Sequence, residues 1–186
     1  MAKAAWIKII EDTEATGKVR QVYEQVAAAR GSNSNIARAA SLWPELLEVQ
    51  ESEFELFNGP ETELNADIKD LIAALVAQLN NCDYCGRSYR AALRSRHWSD
   101  EKITHILQDI ESDHLNERDR AVLVFADKIT RHPQSMDYDD IAALKRAGLS
   151  DRSILEAAAV TAYFNYITRL AGALGVMTED EGPRPA

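Results

Sequence analysis

Residues 64–79 read LNADIKDLIAALVAQL, and residues 115–130 read LNERDRAVLVFADKIT. Both open on Leu-Asn. In each, the Asn suits a helix N-cap, an acid follows in the first turn, and apolar residues recur at helical spacing. The two stretches start 51 residues apart, and other pairs keep that offset without a gap. Ala91-Ala92-Leu93-Arg94 matches Ala142-Ala143-Leu144-Lys145, Ser99-Asp100 matches Ser150-Asp151, and Ile103 matches Ile154. The unit is a capped helix, a second helix ending in Ala-Ala-Leu-basic, and a third opening at Ser-Asp. It runs over about 64–107 and again over about 115–158. Such a period reads as an internal duplication of a small helical unit.

The rest of the chain reads as helix too. Residues 16–29 put Val19, Val22, Tyr23 and Val26 on one face, and Gly31 stops that helix. A short helix is expected from Ser34 to Leu42. Pro44 suits the first turn of another, through Phe54 and Phe57 to Asn58-Gly59. A helix from about Cys82 to Arg94 follows the first Leu-Asn stretch. Asp139 to Ala147 closes at Gly148, and Ser150 caps the last and most apolar helix, which reaches Gly175. No alternating strand pattern is present. The class is all-α, a multihelical bundle expected as one domain over 1–178, with 179–186 a polar, disordered tail.

Charge narrows the function. The 186 residues carry 21 Lys plus Arg against 30 Asp plus Glu, a formal net charge of −9. An acidic chain without a basic stripe argues against nucleic-acid binding. No run approaches the roughly 20 apolar residues of a spanning helix, and there is no polybasic patch for a membrane surface. Lys8 and Glu11 interrupt the start too early for a signal-peptide apolar region. A cytoplasmic location is expected. Neither GxGxxG nor a P-loop is present, so no organic cofactor is implied.

The chain has two cysteines, Cys82 and Cys85, within LNNCDYCGRSYRAAL. Two cannot build a disulfide scaffold or a four-Cys zinc site. No pair among His97, His105, His114 and His132 completes a CxxC…HxxxH pattern, so no metal is expected. At the repeat offset, Cys82 corresponds to Pro133 and Cys85 to Met136. The helical unit therefore does without thiols in its second copy, which points to a role rather than a packing need. A helix N-terminus lowers a thiol pKa, and sulfurs three residues apart share a helical face. One thiolate can attack a peroxide, become a sulfenic acid and condense with its neighbour to a disulfide. An external dithiol must then reset the pair.

NNCDYCGRSYRAAL, preceded by LNADIKDLIAALVAQL, resembles the core of the AhpD-like alkylhydroperoxidase and carboxymuconolactone decarboxylase family. That core reads Glu, eleven residues, CxxCxxxH. ERDRAVLVFADKITRHP, the last helix and NIARAASLWPELLE resemble the bacterial peroxidase-related branch. The resemblance implies a thiol-dependent hydroperoxide reductase of the peroxiredoxin type on an AhpD-like helical fold, forming trimers or hexamers. Its substrates would be a hydroperoxide and an external dithiol reductant. It also implies residue roles: the acid falls on Asp70, the resolving cysteine on Cys82 and the peroxidatic cysteine on Cys85. The family His falls on Tyr89, a departure, because a phenol with pKa near 10 is a poor base at neutral pH. Two alternatives stand beside this reading. One is a lyase of the carboxymuconolactone decarboxylase kind, which has no need of paired thiols. The other is a non-enzymatic, redox-sensing helical protein.

Overall fold

Helix starts follow from their caps. Asn65, Ser99 and Asn116 each accept the backbone N–H three residues on, from Ile68 at 3.0 Å, Lys102 at 3.2 Å and Asp119 at 2.8 Å. Ser150 does the same for Ser153 at 3.0 Å. Each satisfies one of the orphan donors at a helix start. The computed structural model describes residues 4–179. In chain order its helices are α1 (Gly17–Arg30), α2 (Asn35–Ala39), α3 (Pro44–Asn58), α4 (Ala66–Leu79), α5 (Asp83–Ser95), α6 (Asp100–Gln108), α7 (Glu117–Arg131), α8 (Tyr138–Arg146) and α9 (Asp151–Leu174). A 3-10 turn at Pro133–Ser135 precedes α8. The described residues contain no strand, as the all-α reading requires. Residues 180–186 of the expected tail lie outside the described residues. Glu179 is described, and its carboxylate accepts the Asn35 N–H at 2.9 Å.

The repeat is written into the helix ends. α4 and α7 start at Ala66 and Glu117, α6 and α9 at Asp100 and Asp151, and α5 and α8 end at Ser95 and Arg146. Each pair keeps the offset seen in the sequence. Even the reversals after α5 and α8 correspond. His97 (φ 67°) and Gly148 (φ 84°) both take the left-handed conformation, the residue after each bonding back to Leu93 O and Leu144 O. These are Schellman closures. The copies diverge at the start of the second helix, where the first has Cys82 and the second has the Pro133 turn.

The chain divides into two compact units. One comprises the described residues up to Gly59 together with those from Ala171 on. Its core gathers Val19, Val22, Tyr23 and Val26 of α1 with Ala37, Ala40 and Leu47. The Tyr23 hydroxyl donates to Ile10 O at 3.0 Å.

The other unit, Pro60–Leu170, holds both copies of the repeat. Its axis is α4, buried on every side from Ile68 to Ala77 and packed on α5, α6 and α7. A helix apolar all round is one enclosed by its neighbours. Leu93, Ile103, Leu123, Leu144 and Phe164 complete the core. The entry to α4 is pinned from α9. The buried Glu156 carboxylate accepts the N–H groups of Glu63 and Leu64 at 2.8 and 3.0 Å, and Arg152 Nε at 2.7 Å. No helix among the described residues is long and apolar enough to cross a membrane.

The cap of α7 gives a direct check. Asn116→Ala removes an N-cap without touching the core, and urea unfolding should show a loss of about 1 kcal/mol. An unchanged midpoint would refute the role given to that cap.

Candidate active site

The turn joining α4 to α5 is closed by backbone geometry. Asn81 adopts φ 53°, a left-handed conformation that Asn tolerates better than most residues. The Asn81 N–H donates to Gln78 O at 3.2 Å, and the Cys82 N–H reaches back to Ala77 O at 2.8 Å. This is a Schellman closure with Asn81 at its left-handed position. Cys82 then opens the next helix. Its carbonyl accepts the Gly86 N–H at 2.9 Å, and its sulfur accepts the Cys85 N–H at 3.4 Å. One residue thus ends α4 and caps α5.

Both thiols are free and buried, Cys82 at 6% and Cys85 at 2% exposure. Their acidities are pulled apart. The Cys85 thiol donates to the Cys82 sulfur, and with the Cys85 and Tyr84 N–H groups it lowers Cys82 to about 7, against burial and the nearby Asp83 carboxylate. Cys85 is pushed far up, first because its proton is held by Cys82, then by burial and by the charge on Cys82. Two coupled thiols titrate as a unit, and the first-turn N–H groups favour the charged form at the capping sulfur. The expectation drawn from the family resemblance put the attacking thiolate on Cys85. In this structure the sulfur that accepts the first-turn N–H of α5 is that of Cys82.

Access follows the same division. A groove of about 290 Å³ runs along α4 and α5, and Cys82 lines it with Ala77, Gln78, Asp83, Arg87 and Arg90. Ala74 and Gly86 complete its small-residue lining. Gln78 is held by donating to Leu107 O at 2.8 Å.

The other two expected site residues have structural partners. Asp70 is buried and ion-paired with Arg96, which also binds Asp67 through Nε at 2.6 Å. The Trp98 indole donates to the second Asp67 oxygen at 3.1 Å. Asp70 therefore fastens the end of α5 to the start of α4. The half-buried Tyr89 packs edge-on against Phe164 of α9, ring centroids 4.8 Å apart. His97 serves the left-handed turn after α5.

Sequence reasoning missed Arg96 and Asn80. Arg96 follows the last residue of α5, where helical spacing gives no guide to direction. The Asn80 amide donates to Asn165 Oδ1 at 3.0 Å and Thr168 Oγ1 at 2.9 Å, tying the thiol turn to α9. Its signal was the Asn-Asn pair itself, two residues suited to a helix end. No group of three or more His, Cys, Asp or Glu among the described residues is arranged to hold a metal ion.

The sequence model of the carboxymuconolactone decarboxylase family matches residues 44–128, a span that contains α4, the thiol turn and α5. Over that span the chain is similar to that family. A search of curated proteins gives no match. Among solved structures, an uncharacterized peroxidase-related protein with an alkylhydroperoxidase AhpD core from Ralstonia eutropha JMP134 superposes with TM-score 0.85 at 21% identity. The alignment covers 95% of this chain and 93% of that one. A peroxidase-related protein from Silicibacter sp. TM1040 gives TM-score 0.85 at 24% identity, over 97% and 94%. The debrominase Bmp8, in a cysteine-to-alanine variant bound to 2,3,4-tribromopyrrole, gives 0.79 at 19%, over 97% and 95%. These likenesses establish the AhpD-like helical fold.

The acidity pattern is testable by alkylation. With a neutral haloacetamide, the rate at Cys82 should rise with pH and level off with a midpoint of about 7, because only the thiolate reacts. Below the midpoint it should fall about tenfold per pH unit. A midpoint in the ordinary range near 8.5, or faster reaction at Cys85, would refute the assignment.

Proposed function

We propose that this AhpD-like protein is a dithiol oxidoreductase that reduces hydroperoxides through Cys82 and Cys85. The observation that carries the reading is Cys82 itself, a groove-lining sulfur that caps α5, its acidity raised by that bonding, with a second thiol one turn away.

The Cys82 thiolate attacks the terminal oxygen of R–O–OH. The S–O bond forms, the O–O bond breaks, and the alkoxide takes a proton to leave as an alcohol. Cys82 is now a sulfenic acid and no longer carries the charge that kept Cys85 protonated. The Cys85 sulfur then attacks the Cys82 sulfur, hydroxide departs, and the Cys85 proton makes it water. The product is a Cys82–Cys85 disulfide, which an external dithiol reduces by exchange. Asp70 acts as a positioning residue through Arg96. Tyr89, in place of the family His, lies one helical turn from Cys85.

A second reading has the debrominase among the structural neighbours in its favour. The same thiolate can take a halogen from an activated ring carbon, which gains a proton, and Cys85 then displaces halide from the Cys82 sulfur. Electrons and end state match those of peroxide reduction, and only the released halide differs. The decarboxylase chemistry in the family's name needs neither thiol, so turnover surviving replacement of both by Ser would favour it.

Treating the reduced protein with hydroperoxide should convert the pair to an intramolecular disulfide, seen by mass spectrometry as the loss of two hydrogens. Cys85→Ser should trap a sulfenic acid on Cys82, whereas Cys82→Ser should slow peroxide consumption at least about a hundredfold. Free thiols after treatment, or full activity in Cys82→Ser, would overturn the mechanism.

A further inference from the structure

The repeat supplies an internal control for the groove. At the same offset, Arg87 corresponds to Tyr138, Arg90 to Ile141 and Ala74 to Phe125. The second copy therefore lacks both arginines along with both thiols, and has a large ring where the first has a small groove residue. The second copy has a groove of the same volume, but Arg120 and Arg146 there face two acids, Glu117 and Asp140, and no thiol lines it.

We propose that this groove admits anionic substrates, binding a carboxylate on Arg87 and Arg90 while the reacting atom meets Cys82. The inference rests on the dithiol reading and names its substrate class.

Charge supports it. In a chain of net charge −9, an anion is repelled unless a local positive field draws it in. The groove lining sets two arginines against one acid, Asp83. Arg90 donates from Nη1 to Thr104 Oγ1 at 3.2 Å, which orients its guanidinium and uses one of five donors. A guanidinium fork matches the two oxygens of a carboxylate. At about 290 Å³ the groove takes a short acyl or aryl body, not a long chain.

Iodoacetate and iodoacetamide differ in charge and react alike, a sulfur–carbon bond forming as iodide leaves. For Cys82 in the reduced full-length protein, the iodoacetate-to-iodoacetamide rate ratio should exceed that of a small thiol of like acidity by about tenfold at low salt. The excess should shrink with salt and in Arg87→Gln and Arg90→Gln. The wild-type salt series stands even if a variant folds poorly. A ratio no higher than the reference, or one untouched by salt, would overturn the proposal. In a second arm, a short carboxylate-bearing hydroperoxide should oxidise the pair faster than its methyl ester. If neither peroxide reacts but the haloacetate excess persists, hydroperoxide reduction falls and the anion preference stands. Equal rates for acid and ester would overturn the substrate class while leaving peroxide reduction intact.

Discussion

Everything at the candidate site depends on one residue serving two helices. The Cys82 N–H closes α4 on Ala77 O, while its carbonyl and sulfur open α5. A short turn with a left-handed Asn81 leaves little freedom in how α5 leaves α4. The direction of α5 then sets where Cys85, Arg87 and Tyr89 lie. α4, enclosed on all sides, is the fixed member of the pair. Asp70 and Asp67 hold the far end of α5 through Arg96, so the thiol-bearing helix is tied down at both ends.

The electrostatics follow from that geometry rather than from added charge. The described groups that set Cys82 acidity are its neighbouring thiol, two backbone N–H groups and Asp83, which opposes them. Hydrogen bonds from the first turn of α5 favour the charged form of Cys82. Tyr89, where the family resemblance puts a His, packs against Phe164.

The helices were legible because their signals are local. Asn65, Ser99, Asn116 and Ser150 announce their helices by cap chemistry, and the repeat fixes three element boundaries twice over. The cysteine pair was legible as a motif, and which residue caps α5 was not. The spacing places two sulfurs on one face, but whether Cys82 caps the helix or lies inside its first turn depends on whether α5 starts after Cys82 or a residue earlier. Asp70 was visible as an acid at the family's spacing. Its commitment to Arg96 was hidden, since that contact crosses 26 residues and a left-handed turn at His97.

A sulfur that caps a helix also sets the pair's redox poise. In the proposed cycle, oxidation removes the negative charge that the first turn of α5 favours, which biases the pair toward the reduced form over the disulfide. The strong oxidant among thioredoxin-like proteins owes its potential to the same bias, a stabilised reduced state. On that proposal the α4–α5 turn acts on the resetting half of the cycle as much as on the attacking half. The more firmly it holds the thiolate, the more readily an external dithiol discharges the disulfide.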